Sequence, residues 1–307
     1  MTNEQRLKNL APDAEGVLDA VLDTDAYNEI DDQFAIAYML RSKERFCVHA
    51  IYAAPFHNEK SESFADGMKR SYREIHKILD LMGEEKLKAD VFEGSEQRLC
   101  DEHTPVISPA AADLVKRAKE YSPEHPLYVV AIGAITNIAS ALLIAPEIAE
   151  NIVVVWLGSN AHHYPNTREF NLLGDIAAAR VVMKSGAPYV QLSCMGVVSA
   201  FTVSEPELRF WLGGKSALCD YLVENTVEAA EKYAKGKPWT RVIWDVCAVA
   251  YLTGGERFMR SDVRGTLLPG YDHKYEKEPL PTPMRYVYEI KRDALFENMI
   301  KTLTQDD

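Results

Sequence analysis

Short apolar runs alternate with longer segments of helical spacing along the 307 residues of this chain. A short apolar run between turn residues is typical of a buried strand, and apolar positions three and four apart are typical of a helix. The pattern predicts strands at 17–23, 47–54, 127–132, 152–157 and 189–193. It predicts helices at 32–41, 61–82, 108–121, 136–145, 175–185, 216–234, 245–252 and 292–304. Residues 285–291 alternate between apolar and polar positions, which indicates an edge strand.

Residues at the segment ends support these boundaries. Ser108 followed by Pro109 is typical of a helix N-cap and first turn, and Gly83 and Gly186 follow predicted helices. Alternating strands and helices predict an α/β fold, with one doubly wound, mostly parallel sheet and helices on both faces. No linker divides the chain, so we expect a single domain over residues 1–307, with 1–16 as a polar N-terminal extension.

Four aspartates follow the first predicted strand within ten residues of one another: Asp23, Asp25, Asp31 and Asp32. Ligands of open α/β sheets bind at the carboxyl ends of strands, where this cluster falls. Carboxylates this close cannot all stay ionised without a cation or shared protons, and clustered oxygens suit Mg²⁺ or Ca²⁺. Helix capping is the alternative for Asp31 and Asp32, but capping does not account for four acids.

Composition narrows the class of protein. The sequence is 47% hydrophobic with a net charge of −12, so we expect a large core and neither nucleic acid nor a membrane surface as partner. Five scattered cysteines without a CxxC pair indicate neither a disulfide framework nor a zinc site. The polar N-terminus lacks an apolar signal core, and no apolar run has the length of a membrane span. We therefore expect a cytoplasmic protein.

The acidic cluster resembles the DxDxGxDD signature of inosine–uridine-preferring nucleoside hydrolases. Residues 23–32 read DTDAYNEIDD, one residue longer than the signature and without its glycine. Three more segments match the family in order. VAIGAITNIA at 130–139 is similar to its TGxLTNIA turn, EFN at 169–171 to its EFN segment, and WDVCAVAY at 244–251 to its (H/W)DxxAxAY helix start. The resemblance runs from about residue 17 to residue 303.

The resemblance implies hydrolysis of the N-glycosidic bond of a ribonucleoside to ribose and a free base. It implies a Ca²⁺ ion held by the carboxylates of Asp25, Asp32 and Asp245 and by the carbonyl of Ile132. Two ribose hydroxyls and a water would complete about seven or eight oxygen ligands, which suits Ca²⁺ better than octahedral Mg²⁺. Asp25 is also expected to act as general base on the metal-bound water. For Asp245, at a predicted helix start, capping is the alternative.

The resemblance implies substrate contacts at further positions. Asp31 is expected to accept a hydrogen bond from a ribose hydroxyl, with helix capping as the alternative. Glu169 and Asn171, two residues apart in a stretch interpreted as extended, are expected to grip the 5′- and 3′-hydroxyls, unless they belong to a surface loop. Asn58 and Asn166 are expected to contact substrate too, although their loops differ in length from the family's.

Trp244 stands where many family members have a histidine, the candidate acid for the leaving base. An indole cannot donate a proton to catalytic effect, but it can stack on a flat base, and a purine-preferring subgroup is similar in carrying Trp here. A core Trp that covers the end of the sheet is the alternative. Histidines that could replace the missing acid are interpreted as solvated loop residues: His57, His103, His162 and His163.

Two other functions stay open at this point. A strand followed by an Asp23-Thr24-Asp25 run is also how Mg²⁺-dependent phosphatases of the haloacid-dehalogenase type begin, with Asp23 as nucleophile. Their downstream GDxxxD motif is only half present, at residues 174–179. The second alternative is an inactive calcium-dependent nucleoside- or sugar-binding protein. The expected partners are small-molecule nucleosides and, by resemblance, copies of the same chain in a dimer or tetramer.

Overall fold

Strands and helices alternate through the computed structural model, which describes residues 1–12 and 15–305. The strands are β1 (Leu18–Thr24), β2 (Phe46–Ala53), β3 (Val91–Phe92), β4 (Leu127–Ala131), β5 (Ile152–Leu157), β6 (Tyr189–Leu192), β7 (Thr202–Val203), β8 (Arg241–Val242), β9 (Met259–Thr266) and β10 (Leu280–Ile290). The α-helices are α1 (Asn3–Leu10), α2 (Asp32–Arg41), α3 (Phe64–Met82), α4 (Pro109–Ala118), α5 (Thr136–Ile144), α6 (Phe170–Gly174), α7 (Ile176–Lys184), α8 (Glu205–Trp211), α9 (Ala217–Ala234), α10 (Val246–Gly254) and α11 (Arg292–Thr304).

One sheet of eight strands forms the centre, in the order β3-β2-β1-β4-β5-β6-β10-β9. Neighbouring strands are parallel except for the antiparallel pair β9 and β10. The order reverses between β1 and β4, because β2 and β3 extend the sheet in one direction and β4 to β6 in the other. In doubly wound sheets the ligand crevice lies at such a reversal, outside the carboxyl ends of the strands.

Burial explains why these strands read as continuous apolar runs. Every residue of β4, β5 and β6 is buried, as expected for parallel strands covered on both faces. Helices α2, α3, α10 and α11 pack as one group, and α4, α5 and α7 as another. The predicted fold class, a doubly wound and mostly parallel α/β sheet in one domain, is confirmed.

Capping residues fix several helix ends where the sequence predicted them. The hydroxyl of Ser108 accepts a hydrogen bond from the amide of Ala111, 3.1 Å away, and Pro109 begins α4. Gly83 ends α3 in the left-handed region at a φ of 72°, which favours glycine over residues with a Cβ atom. These local signals set the boundaries because they satisfy backbone groups that a helix end leaves unpaired.

One prediction about the periphery is wrong. Strand β10 is not an edge strand, because it pairs with β6 on one side and with β9 on the other. Strand β9 forms the edge, and its polar sequence MRSDVRGT carries no apolar run that would have predicted it. In the N-terminal segment 1–16, α1 packs on the domain: Leu10 is buried, and the Asn9 amide donates to the Pro123 carbonyl at 2.8 Å. Residues 13 and 14 of that segment lie outside the described residues.

The five cysteines are free thiols, two of them exposed and three buried. Among the helices of the described residues, none has the length and apolar character needed to cross a membrane.

Candidate active site

The site lies where the strand order reverses, at the carboxyl ends of β1 and β4. Asp23 is the penultimate residue of β1, and its carbonyl accepts a hydrogen bond from the Ile132 amide at 2.8 Å. Gly133 follows, and a Cβ atom there would lie 3.2 Å from Cγ of Asp25. Glycine therefore relieves a tight contact where the turn after β4 approaches the first acidic loop.

A cavity of about 250 Å³ opens at this point. Eight of the ten predicted site residues line it: Asp25, Asp31, Asp32, Ile132, Glu169, Asn171, Trp244 and Asp245. A larger and more open groove of about 1040 Å³ shares α6 with this cavity, but it contains none of the clustered aspartates. The smaller cavity is therefore the candidate active site.

Three carboxylates from distant parts of the chain meet in the cavity. One oxygen from each of Asp31, Asp32 and Asp245 lies within 4.8 Å of the others, and all three residues are buried. Asp25 is buried in the same cavity lining, outside that group of three. Burial raises the pKa of Asp25, and the nearby charges of Asp32 and Asp31 raise it further. The site thus combines four acids in one small volume.

Helix capping does not account for Asp31 and Asp245. Each stands at the N-terminus of a helix, α2 and α10, yet neither side chain makes a capping hydrogen bond. Instead, Oδ2 of Asp31 accepts a hydrogen bond from the amide of Asp245, 3.3 Å away. The carboxylates are therefore directed at one another and at the cavity.

Burial and the repulsion between neighbouring carboxylates raise the pKa values of this cluster. Burial raises the pKa of Asp32 to about 7, and burial together with the Asp31 charge raises the pKa of Asp245 well above its usual range. Oδ2 of Asp25 and Oδ2 of Asp32 are buried without a hydrogen-bond partner in the described residues. Orphaned carboxylate oxygens of this kind are the hard ligands that Mg²⁺ and Ca²⁺ prefer, so the residues fit a divalent cation.

Asp23 supports the site from behind the cavity. Its Oδ1 accepts a hydrogen bond from the Asn137 amide at 2.8 Å, and Oδ1 of Asn137 accepts from the Ser95 amide at 2.7 Å. Burial raises the pKa of Asp23 to about 7. Because Asp23 is not in the cavity lining, its position suits orientation of the β1 end better than contact with a ligand.

Ile132 lines the cavity, and its carbonyl already has a protein partner. The side-chain amide of Asn171 donates to this carbonyl at 3.2 Å and to the Leu157 carbonyl at 3.0 Å. A carbonyl oxygen has two lone pairs, so the contact orients the Ile132 oxygen without exhausting it.

The prediction of an extended stretch at Glu169 and Asn171 is wrong. Glu169 caps α6, and its carboxylate accepts hydrogen bonds from the amides of Ser159, Asn171 and Leu172 at 2.7 to 3.0 Å. The short helix α6 was not predicted, because the segment EFNLLG is too short to show a helical repeat of apolar positions. Both residues nevertheless line the cavity.

Asn58 and Asn166 lie behind the cavity lining. The Asn58 amide donates to Oδ1 of Asn28 at 2.7 Å, and Asn28 lines the cavity. The Asn166 carbonyl accepts from the side chain of Asn160 at 3.2 Å, and Asn160 also lines the cavity. In each case the cavity contains an asparagine that the sequence analysis did not select.

Glu29 and Cys194 also line the cavity without having been predicted. Glu29 forms an ion pair with Arg241. Cys194 is two residues beyond the end of β6, and burial raises the pKa of its thiol well above the usual range. The one signal available in the sequence was position, since both residues follow a strand that ends at the same edge of the sheet.

Trp244 is half-buried and lines the cavity, whereas none of the described histidines does. His103 lines the larger groove. His162 is not a solvated loop residue: its ring stacks on Tyr286 with centroids 4.1 Å apart, and burial lowers its pKa to about 4. A neutral and distant imidazole cannot supply a proton to a ligand in the cavity.

Fold and site together define a member of a known class. The chain belongs to the inosine-uridine preferring nucleoside hydrolase family, whose sequence profile it matches over residues 20–297. With the pyrimidine-specific ribonucleoside hydrolase RihA of Citrobacter koseri it shares 29% identity over 154 residues, 48% of each protein. That alignment therefore spans about half the length of this relative.

Solved structures show the same fold at low identity. A plant nucleoside hydrolase, the PpNRh1 enzyme, is 18% identical with a TM-score of 0.72, over 94% of this chain and 99% of that one. A purine-preferring ribonucleoside hydrolase from Gardnerella vaginalis is 19% identical with a TM-score of 0.72, over 93% of this chain and 98% of that one. The expected family and fold are thereby confirmed.

Proposed function

We propose that this protein hydrolyses the N-glycosidic bond of ribonucleosides to ribose and a free base, with Ca²⁺ as cofactor. The observation that carries the proposal is the meeting of Asp31, Asp32 and Asp245 within 4.8 Å in a cavity that Asp25 also lines. Family membership supports the same reaction class.

Asp25, Asp32, Asp245 and the carbonyl of Ile132 are the proposed ligands of the cation. The unpartnered Oδ2 atoms of Asp25 and Asp32 support this assignment, since each needs a positive partner at neutral pH. When bound, a divalent cation would acidify a water molecule and hold vicinal ribose hydroxyls.

Asp25 is the proposed general base. Its buried Oδ2 is free to accept a proton, and burial raises its pKa well above the usual range, the direction that a base working near neutral pH requires. Asp31 is proposed to accept a hydrogen bond from a ribose hydroxyl, which strengthens as the sugar becomes cationic in the transition state. Glu169 and Asn171 are proposed to contact the remaining hydroxyls, with Asn58 and Asn166 positioning the asparagines in front of them.

Trp244 is the proposed wall for the base. Its half-buried indole in the cavity lining can stack on a flat heterocycle, which favours a protonated leaving base without donating the proton. The described residues offer no histidine in the cavity for that role, so the departing base would take its proton from solvent.

One assay separates this proposal from its alternatives. The protein is incubated with inosine, adenosine, uridine and a generic phosphate ester, each with and without a chelator. Chelator-sensitive release of ribose supports the hydrolase, whereas a raised melting temperature with nucleoside but no turnover supports an inactive binding protein. Phosphate release would support the phosphatase, for which Asp23 would have to reach substrate from its buried position.

A dimer or tetramer and a role in purine or pyrimidine salvage belong to the same proposal and depend on the family alone. The proposed cytoplasmic location depends on the polar N-terminal sequence. Light scattering of the purified protein tests the oligomeric state.

A further inference from the structure

A second group of metal-ligand side chains lies at the opposite end of the sheet from the cavity. Asp19 is on β1, and Cys47 and His49 are on the neighbouring strand β2. One ligand atom of each lies within 4.8 Å of the other two. Nothing in the proposed hydrolysis uses these three residues, called the Asp19–Cys47–His49 cluster below.

The histidine lies at an irregularity in the pairing of β1 with β2. Asp19 is opposite Cys47 and Ala20 is opposite Val48, but Val21 is opposite Ala50, so His49 has no partner on β1. Nε2 of His49 lies 2.6 Å from Oδ1 of Asp19.

We propose that the Asp19–Cys47–His49 cluster binds one divalent cation of the zinc class. A thiolate, an imidazole and a carboxylate form a donor set that selects Zn²⁺ over Ca²⁺ or Mg²⁺, which prefer oxygen alone. The side chains are only partly covered, 29% exposed for His49 and 48% for Asp19, so solvent can reach the cluster and fill a fourth ligand position. The cation would replace the proton that Asp19 and His49 share in their hydrogen bond.

This site is separate from the proposed active site in position and chemistry. Asp19 precedes Asp23 by four residues on β1, which corresponds to about 13 Å of strand. The active-site cluster offers carboxylate and carbonyl oxygens, whereas this one includes sulfur and nitrogen. A cation here would join β1 to β2 at their N-terminal ends, so we expect it to raise thermal stability without changing turnover.

The experiment uses Co²⁺ as a spectroscopic probe for the metal. The reduced, chelator-treated protein is first saturated with Ca²⁺ to occupy the oxygen cluster, and Co²⁺ is then added. We expect a thiolate-to-cobalt charge-transfer band that saturates at one equivalent and disappears when Zn²⁺ is added. This band reports sulfur coordination, so cobalt bound by aspartates alone does not produce it.

Two cysteine variants make the test specific. Cys47→Ser should abolish the band, whereas Cys100→Ser should keep it, because Cys100 is also exposed but belongs to neither metal-ligand group among the described residues. His49→Gln and Asp19→Asn should each weaken Co²⁺ binding by about tenfold or more. Equal melting curves of the metal-free variants establish that they fold.

The proposal is overturned if the wild-type protein gives no band, or if the band persists in Cys47→Ser. Neither result bears on nucleoside hydrolysis, which is measured in the same samples as ribose release. Loss of hydrolysis with an intact cobalt band would contradict the proposed function and leave the Asp19–Cys47–His49 site standing.

Discussion

Oδ2 of Asp31 accepts a hydrogen bond from the amide of Asp245 at 3.3 Å, although 214 positions separate the two residues in the chain. The contact joins the start of α2 to the start of α10 and brings their carboxylates together at the edge of the sheet. Both helices begin with an aspartate that does not cap its own helix. Buried acids this close to one another need a cation or shared protons, and the predictions below follow from the proposed cation.

Asp25→Asn is expected to lower turnover by about 100- to 10,000-fold, the range for loss of a general base, while the fold stays intact. The amide keeps the size of the carboxylate but cannot accept a proton. Ribose release and a melting curve are measured together. The exposed Asp293→Asn serves as control; an Asp25→Asn variant as active as that control would refute the role of Asp25 as base.

Asn171→Ala is expected to weaken Ca²⁺ binding by about tenfold or more, because the Ile132 carbonyl loses the amide that orients it. It should also lower the free energy of unfolding by about 1–3 kcal/mol, since two buried carbonyls lose a donor. Calcium titration and denaturation measure the two effects.

Asn9→Ala is the matched control for this variant. It removes a similar amide-to-carbonyl bond, of 2.8 Å to Pro123, far from the cavity. Stability should fall in both variants, but calcium affinity only in Asn171→Ala. Equal calcium affinities in the two proteins would show that Asn171 has no part in holding the cation.

Trp244→Ala is expected to raise KM for purine nucleosides more than for pyrimidine nucleosides. Stacking of a base on an aromatic side chain contributes about 1–3 kcal/mol, and a purine presents the larger face. Trp244→Phe should restore part of the loss, and Trp239→Ala should have little effect, because Trp239 does not line the cavity. Steady-state kinetics with inosine and uridine provide the comparison; an equal rise for both substrates removes the stacking argument.

As pH rises, the free energy of unfolding of the metal-free wild-type protein should fall relative to that of the metal-free Asp32→Asn variant. Burial raises the pKa of Asp32 to about 7 from an ordinary 3.8, so between those values the folded state binds more protons than the unfolded state. The stability of the wild-type protein therefore falls as pH rises through this range. The Asn side chain does not titrate, so Asp32→Asn lacks this contribution to the pH dependence. Denaturation of both proteins in chelator across the pH range measures the difference, and saturating Ca²⁺ should reduce it. A difference that stays constant with pH would contradict a buried, uncompensated Asp32.

Much of the fold could be predicted because its strands are buried on both faces and read as unbroken apolar runs. The predicted helix 32–41 and strand 152–157 have the ends seen in α2 and β5. Strand β9 was missed because an exposed edge carries no such run, and α6 because five residues are too few to show a helical repeat.

The cavity was predictable at residues that follow a strand within a recognisable motif, such as Asp25 and Asp245. Asn28 and Asn160 were missed because only the folded loops decide which of several nearby asparagines faces the cavity. The Asp19–Cys47–His49 cluster could not be found from spacing, since its ligands come from two strands whose register the sequence does not give. The register between two strands is set in the folded protein, and it could not be predicted from this single sequence.

Calorimetric titration of Ca²⁺ into the chelator-treated protein tests the shared cation most directly. We expect one ion per chain in the wild-type protein and in Asp293→Asn, and binding at least about tenfold weaker in both Asp32→Asn and Asp245→Asn, because each removes a charged ligand. Failure of the wild-type protein to bind Ca²⁺, or wild-type affinity in Asp245→Asn, would contradict the account.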